Sequence, residues 1–173
     1  MAFGSAPSNQ NPAQSTKFQL HFDRLPYMTY FCQEANVPGV SLGQATYNTP
    51  LVDLPIAGNK LTYNVLNLRF ALDETAQTYQ EVINSFYAIA APGGSDVRNR
   101  LNSIQSGTAP KSSYYSDATL TILSNLNNPI LRVQFTNVFP TSISDINLDT
   151  KGSADDILTA DASFIIQSYE FVD

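Results

Sequence analysis

The sequence predicts a mainly β protein, an antiparallel β-sandwich or barrel with one flanking α-helix. Three observations lead to this fold class. About eight short segments alternate between apolar and polar residues, only one segment has strong helical spacing, and Pro, Gly or Asn stand between most of the segments. Alternation of this kind indicates strands that each bury one face, and short turns between them favour antiparallel pairing.

The composition fits one compact domain in a chain of 173 residues. The chain is 43% hydrophobic, which is enough for a substantial core, and only 14% charged. Its first 16 residues are uncharged and rich in Ser, Asn, Gln and Pro. We therefore expect a flexible N-terminal arm over residues 1–16 and a single β domain over residues 17–173.

The first part of the domain predicts two strands of a meander. Residues 18–22 alternate between apolar and polar side chains, and Pro26 ends this pattern. A second alternating run over residues 30–37 predicts the next strand. The Pro-Gly pair at residues 38–39 then predicts a turn.

The middle of the chain predicts a short strand over residues 51–56, a turn over residues 57–60 and a long strand over residues 61–72. Within the long strand the apolar face switches near Val65 and Leu66. A bulge, or a strand that passes between two packed surfaces, would produce that switch.

One segment after Glu74 predicts an amphipathic helix. Thr75 is placed to cap its start, and the Pro-Gly-Gly sequence at residues 92–94 is placed to end it. Residues 95–105 predict a second, short helical turn. The apolar side chains that share one face of the main helix are Tyr79, Val82, Ile83, Phe86 and Ala90.

Four further alternating runs predict strands over residues 115–123, 130–138, 143–149 and 163–172. Turn-forming residues at 127–129 and 139–140 and an acidic loop separate these runs. The order of elements therefore places the predicted helix between two groups of strands.

Charge and composition exclude several functional classes. The formal net charge is −6, and all of it lies in the last 41 residues, which contain seven acidic residues and one basic residue. Because a protein that grips phosphates needs a basic patch, the sequence argues against conventional DNA binding. A single cysteine cannot form an internal disulfide, and no apolar run approaches the roughly 18 residues that span a membrane.

No catalytic, cofactor-binding or metal site is predicted, and we expect no enzyme activity. His21 is the only histidine and lies on the polar face of the first strand, whereas Cys32 is expected to be a small buried hydrophobic residue. No Gly-x-Ser-x-Gly turn is present. The acidic segment from Asp145 to Asp156 imitates a calcium loop, but Thr150 stands where that loop needs Gly.

Five segments in order carry a resemblance. They are Phe18-Gln-Leu-His-Phe22, Val37-Pro-Gly-Val40, Pro55-Ile-Ala-Gly-Asn-Lys60, the run from Leu66 to Glu74 with the helix behind it, and Phe139-Pro-Thr-Ser-Ile-Ser-Asp-Ile-Asn-Leu148. Together, over residues 18–172, their order and spacing resemble the tail tube protein of contractile-tailed (myovirus-type) bacteriophages.

The resemblance implies a structural protein of the virion tail. Six copies would form a ring, their strands would join into one inter-subunit β-barrel around a channel, and stacked rings would form a tube for genome delivery inside a contractile sheath. Implied partners are other copies of the chain, the tail sheath protein, and baseplate and tail terminator proteins. Genomic DNA would pass without sequence-specific binding. Assembly would occur in the host cytoplasm, with no cofactor and no membrane partner.

Two alternatives stand beside this interpretation. Within the same lineage, the chain could be a baseplate tube-initiator or the tube protein of a contractile injection system. From a different class, a monomeric ligand-binding β-barrel would also show about eight alternating strands.

The acidic C-terminal third supplies candidate channel-lining residues, namely Asp155, Asp156 and Asp161. A negative wall would repel DNA phosphates and let the genome slide. The opposing interpretation places these acids in an outer loop that meets solvent, the sheath or the next ring.

Overall fold

The computed structural model describes residues 15–90, 115–151 and 156–172. This part of the chain forms nine strands and two helices, and every strand pair is antiparallel, so the mainly β antiparallel prediction is confirmed. In chain order the elements are β1 (Phe18–Phe22), α1 (Pro26–Phe31), β2 (Cys32–Ala35), β3 (Val40–Asn48), β4 (Asp53–Tyr63), β5 (Leu66–Ala71), α2 (Gln77–Ala90), β6 (Ser116–Leu123), β7 (Pro129–Ile143), β8 (Thr159–Ile165) and β9 (Ser168–Val172).

The 15-residue strand β7 organises the larger sheet. Its first half pairs with β6 on one side and β9 on the other, and its second half pairs with β8. β1 continues the sheet beyond β6, while β5 and then β2 continue it beyond β8. β3 and β4 form a separate two-stranded sheet.

β7 turns a corner at Asn137. This residue has a positive φ of 54°, a conformation that Asn tolerates better than most residues. Its backbone N–H donates to Oδ1 of Asp117 over 2.9 Å, and its side-chain amide donates to the Oε1 of Gln167. The β6–β7 register also shifts here, so a β-bulge bends the strand and allows its two halves to belong to different layers.

The two layers enclose one hydrophobic core. β1 and β8 lie at separate positions along the sheet, yet the rings of Phe22 and Phe164 meet with centroids 5.4 Å apart. The most deeply buried large side chains include Phe70 on β5 and Phe135 on β7. α2 adds Val82 to the same core, as its helical spacing predicted.

The described strands form an open sandwich, because the sheet ends at β1 on one side and at β2 on the other. An apolar cavity of about 30 Å³ lies between α2 and the sheet and is lined by Phe22, Ala88 and Pro140 among others. That is room for about one or two waters. The described strands thus lack the closed wall that a ligand-carrying barrel requires. None of the described helices has the length and apolar character needed to cross a membrane.

Several predicted boundaries are wrong in the first half of the chain. The segment 30–37 is not one strand, since α1 continues to Phe31 and β2 begins at Cys32. Pro26 starts this helix in the position where its missing N–H costs nothing, and burial of Met28 fixes it against the core. The predicted turn at 57–60 lies inside β4, and the long strand 61–72 is two strands that break between Tyr63 and Leu66.

The later strands differ from prediction in a similar way. β6 and α2 lie where they were predicted, but β7 continues through the predicted break at Phe139 and Pro140 to Ile143. A register shift after Pro140 absorbs its missing N–H. Residues 144–149 have no regular structure, and the run 163–172 is divided between β8 and β9. Residues 1–14 and the predicted features at 92–105 lie outside the described residues.

The cap of α2 is also corrected. Oδ1 of Asp73, and not the hydroxyl of Thr75, accepts the backbone N–H of Thr78 over 3.2 Å. The Thr75 hydroxyl instead donates to the same carboxylate. This hydrogen bond from Thr75, followed by those from Thr78, holds the pKa of Asp73 below its usual value.

A half-buried carboxylate joins the two helices. Oε2 of Glu81 on α2 accepts the backbone N–H of Tyr27 on α1 over 3.2 Å. Burial raises the pKa of Glu81 from 4.5 to about 7, although hydrogen bonds from the Tyr27 and Met28 backbones act in the opposite direction. The folded protein therefore binds this proton more tightly than the unfolded chain does.

Stability should consequently fall as the pH rises from 4.5 to about 7, because the ionised carboxylate is the less favourable form in the fold. We predict that Glu81→Gln leaves the melting temperature nearly unchanged at pH 4.5. At pH 8 it should stabilise the protein by about 1 kcal/mol once partial exposure is allowed for, or about 3 °C. Glu74→Gln removes a charge from an exposed position and serves as the control in thermal melts. Equal effects of Glu81→Gln at both pH values would contradict the prediction.

Candidate assembly surface

One long β-ribbon runs out of the core. β2 pairs with β5 up to Ala35 opposite Leu68, and β3 pairs with β4 from Val40 opposite Tyr63. The same two chain segments therefore stay paired across both sheets. A joint at residues 36–39 and 64–65 separates the core part of the ribbon from its outer part, and the predicted switch of apolar face near Val65 and Leu66 falls at this joint.

Asn36 holds the joint with its side-chain amide. Its Nδ2 donates to the carbonyl of Val65 over 3.1 Å, and its Oδ1 accepts the backbone N–H of Asn67 over 2.6 Å. A backbone hydrogen bond from Asn64 to the carbonyl of Gly39, 2.9 Å long, closes the outer side. Both strands are thus tied at the point where the ribbon leaves the core.

The outer part of the ribbon, β3 and β4, is here called the distal hairpin. Among the described elements these two strands pack extensively only on each other, although the Tyr63 ring at the base meets the Tyr169 ring with centroids 5.5 Å apart. Apart from Tyr63, the large apolar side chains of these strands and of the turn between them are exposed by between 46% and 93%. They are Val40, Leu42, Tyr47, Leu51, Val52, Leu54, Ile56 and Leu61.

Such a hairpin is poorly suited to stand alone in water. Isolated two-stranded hairpins are marginally stable, and contiguous exposed apolar side chains mark interaction surfaces. Both outer edges of the two-stranded sheet also carry unpaired backbone groups among the described residues, which invites strand pairing with another chain. The described residues of one copy therefore leave the apolar side chains and the strand edges of the hairpin uncovered.

The apolar side chains of the hairpin change face between its base and its tip. Along β3, Val40 and Leu42 point to one face, whereas Ala45 and Tyr47 point to the other. Base and tip consequently offer apolar contact to opposite sides of the ribbon.

Two glycines lie at this change of face. The register shifts between Leu42 opposite Leu61 and Gln44 opposite Ala57, which leaves Gly43 facing an irregular stretch of β4. A Cβ on Gly58 would lie 2.6 Å from the backbone oxygen of Gly43. The two strands approach each other this closely because Gly58 has no side chain.

A second feature is the outward face of β2, β5 and β8, on the side of these strands away from the core. We call it the polar face. Arg69 donates from Nε to Oδ1 of Asp161 over 2.8 Å and from Nη1 to Oε1 of Glu34 over 3.2 Å. The other members of the polar face are Asn36, Asn67 and Ser163.

The three candidate channel-lining acids have different positions. Asp161 belongs to the polar face on β8, and its carboxylate is ion-paired with Arg69. Asp156 is exposed beside a different groove, which Leu72, Ile146 and Ile157 help to line. Asp155 lies outside the described residues. Asp161 is thus brought together with Arg69 and Glu34, while Asp156 has no part in that group.

The residues considered for catalysis are not assembled into a site. His21 is exposed, with its Nε2 3.7 Å from a carboxylate oxygen of Asp23, as expected for a surface histidine. Cys32 is half-buried at the start of β2, and burial raises the pKa of its thiol to about 11. Within the described ranges, no three His, Cys, Asp or Glu side chains are grouped closely enough to hold a metal ion.

Sequence reasoning missed the role of Asn36, the cluster around Arg69 and strand β3. The cluster joins residues 35 and 92 positions apart in the chain, so no local pattern reveals it. A signal for β3 was available, because Val40, Leu42 and later Ala45 and Tyr47 alternate with small or polar residues on either side of Gly43.

Comparison with known proteins decides the family. A family model described as phage tail tube protein matches residues 5–172. The chain belongs to the phage tail tube protein family. It is a structural component of a tail tube, as the resemblance implied. No curated protein sequence shows significant similarity to this tail tube protein.

Solved structures share the fold of this tail tube protein. A chain of the anti-feeding prophage (AFP) baseplate is 13% identical with a TM-score of 0.62, and the match covers 95% of this chain and 97% of that one. A chain of the PVC extracellular contractile injection system, from its sheath-tube complex in the extended state, is 15% identical with a TM-score of 0.59 and coverages of 97% and 99%. A chain of the AFP tube terminating cap is 13% identical with a TM-score of 0.61, and both coverages are 99%.

The close approach at Gly58 generates a first prediction for this surface. Gly58→Ala places a methyl group against the backbone of Gly43, so the hairpin must shift at a cost on the order of 1–3 kcal/mol. Hydrogen exchange should become faster in β3 and β4 and stay unchanged in the core strands, because the hairpin packs mainly on itself. The control is Gly43→Ala, whose Cβ would lie an ordinary 3.5 Å from the Lys60 carbonyl oxygen. Equal exchange in the two variants would refute this account.

The joint generates a second prediction. Asn36→Asp removes the donor to the Val65 carbonyl and puts a carboxylate beside that oxygen, which should cost about 1 kcal/mol and loosen the angle of the hairpin. In a Cys32→Ser background, spin labels at Thr46 on the hairpin and Gln19 on β1 would report this as a broader distance distribution.

Asn59→Asp makes the same change of charge on the hairpin, away from the joint, and is the matched control. A distribution of unchanged width in Asn36→Asp would show that the amide of Asn36 does not fix the hairpin.

Proposed function

We propose that copies of this chain form hexameric rings, that their strands join into one inner β-barrel, and that the rings stack into a tube for genome delivery inside a contractile sheath. The observation that carries the proposal is the distal hairpin, whose apolar side chains and strand edges are left uncovered by the described residues of the chain. The role is structural, and the tube acts by enclosing its cargo without catalysis.

The reach of the hairpin supports contact between copies. β4 has 11 residues, which correspond to about 36 Å at about 3.3 Å per residue. That length extends well beyond the core from which the ribbon departs. Pairing of the hairpin with strands of a neighbouring copy would satisfy its unpaired backbone groups and bury its apolar side chains.

The change of apolar face supports contact with more than one copy. The base of the hairpin exposes Val40 and Leu42 on one side, and the tip exposes Tyr47 on the other. In a stack of rings, one of these surfaces would meet the neighbour within the ring and the other would meet the adjacent ring. A heterologous contact of this kind closes into a ring when the rotation between copies divides a full turn.

The further partners follow from the family and from the assemblies in which similar folds occur. These include a sheath-tube complex, a baseplate and a tube terminating cap. We propose that the chain meets the tail sheath, baseplate and tail terminator proteins in the virion tail and that it assembles in the host cytoplasm. Asp155, Asp156 and Asp161 stay the candidate channel-lining acids, and genomic DNA would pass them without sequence-specific binding.

Electron microscopy of the purified protein across a concentration series, with light scattering for mass, tests the proposal. We expect rings of about six copies in mass, or stacked tubes with a central channel. The double variant Tyr47→Ser/Leu54→Ser changes two side chains that face each other near the tip of the hairpin. It should abolish assembly and leave the melting temperature of the monomer within about 1 °C, because surface substitutions away from the core change stability little.

The matched control is Leu126→Ser/Leu148→Ser, which removes two apolar side chains that are 83% and 81% exposed outside the hairpin. This control should still assemble. A wild-type protein that stays monomeric at every concentration, or a hairpin variant that assembles as well as the control, would contradict the proposed role of the hairpin.

A further inference from the structure

The charges of the polar face form one connected group. Asp161 accepts two hydrogen bonds from the Arg69 guanidinium, from Nε over 2.8 Å and from Nη2 over 3.3 Å. Glu34 accepts a third from Nη1 over 3.2 Å. The guanidinium thus engages a carboxylate through each of its three nitrogens, and hydrogen bonding to Asp161 is the main cause of a raised Arg69 pKa.

The neutral side chains of the polar face are also engaged with each other. The Ser163 hydroxyl donates to Oδ1 of Asn67 over 2.9 Å, and the Asn67 backbone N–H donates to Asn36. The Asp161 backbone N–H donates to the Ser144 hydroxyl over 2.9 Å, which fixes the strand at the point where its carboxylate meets Arg69. The face is therefore an ordered polar surface and not a set of independent side chains.

Arg69 is the only cationic side chain among the described residues of the polar face. With Glu34 and Asp161 ionised, the three groups sum to a charge of −1. An unpaired arginine on such a surface would be a strong phosphate ligand, because its planar fork matches two phosphate oxygens. Here the same donors already bind carboxylates, which a phosphate would have to displace.

The burial of the opposite side of these strands determines which way the polar face is turned in the proposed ring. Its strands β2, β5 and β8 bury their other face, through Leu68, Phe70 and Phe164, against the remainder of the domain. When the ribbon that extends β2 and β5 joins neighbouring copies, the bulk of six domains cannot fit inside the barrel. The domains must lie outside it, and the polar face then turns towards the channel.

We propose that Glu34 and Asp161 clamp Arg69 on the channel wall, so that the wall presents an occupied cation and a net negative charge to the phosphates of passing nucleic acid. This inference rests on the proposed tube. The clamp itself lies within one chain and can be tested with or without assembly.

The test is the double variant Glu34→Gln/Asp161→Asn, which releases Arg69 and changes the face from −1 to +1. We expect assembled tubes of this variant to bind a fluorescently labelled DNA duplex about tenfold more tightly than wild type in anisotropy titrations. That gain should diminish as the salt is raised from about 50 to about 200 mM. Addition of Arg69→Gln to the double variant should return binding to the wild-type level.

The matched control is Glu74→Gln/Asp149→Asn, which removes one glutamate and one aspartate charge at exposed positions that do not line the polar face. Equal DNA binding by this control and the double variant would overturn the clamp. If the double variant does not form tubes, the same DNA titration is carried out on unassembled protein, and circular dichroism verifies the fold. Tighter DNA binding by the double variant than by wild type would then support the clamp.

A nuclease assay tests the placement on the channel wall. DNA added during polymerisation of the double variant should be protected inside the tube. Rapid digestion of the bound DNA would place the face on the outside and overturn that part of the inference. Failure of the wild-type chain and of the control to form rings would instead refute the proposed function, and the titration of unassembled protein would still decide the clamp.

Discussion

The bend of β7 at Asn137 is the constraint on which the rest of the structure depends. One strand serves two layers because Asp117 and Gln167 hold Asn137 in a left-handed conformation at the bulge. The bend brings β1 and β8 together, so that Phe22 and Phe164 share a core. Without it, β5 and β8 would have no layer opposite them, and their alternate apolar side chains would be exposed.

The core then provides an anchor for a ribbon that is not stable by itself. About 40 residues, from β2 through β5, form a paired ribbon whose inner part is buried and whose outer part is exposed. Exposed apolar side chains such as Leu42 and Leu54 lower the solubility of a single copy, and their burial would supply contact energy in the proposed assembly. The hydrogen bonds of Asn36 tie both strands where the hairpin leaves the core, which would make that contact energy directional.

The behaviour of each charged side chain discussed above depends on the groups that surround it. Asp73 is stabilised in its ionised form at the start of α2, whereas Glu81 is half-buried against α1 and favours its protonated form. Arg69 is held between two carboxylates on a surface whose remaining groups are neutral. Exposed ion pairs of this kind contribute little to folding. Such pairs instead change which charges a binding partner meets. An arginine that is already bound to two carboxylates attracts a polyanion only weakly.

Local sequence patterns correctly predict several strands and the helix α2, but they fail for other elements. The alternation of β1 and β6 and the helical spacing of α2 identify those elements, because each buries one face against a core that any compact fold would supply. The same reasoning fails at Pro140, where a register shift with β8 lets the strand continue through a residue that cannot donate a hydrogen bond. It fails again at α1, where six residues become helical because Met28 is buried and Glu81 accepts the Tyr27 N–H.

The sequence by itself determined the β class, the helix α2 between two groups of strands, the excess of acidic over basic residues and the resemblance to tail tube proteins. These properties depend on periodicity, composition and the order of segments, all of which are local or additive along the chain. Only the tertiary structure decided the corner in β7, the joint at Asn36 and the clamp on Arg69. Each of these joins residues that are distant in sequence, and their contact is fixed by strand register, which no local pattern specifies.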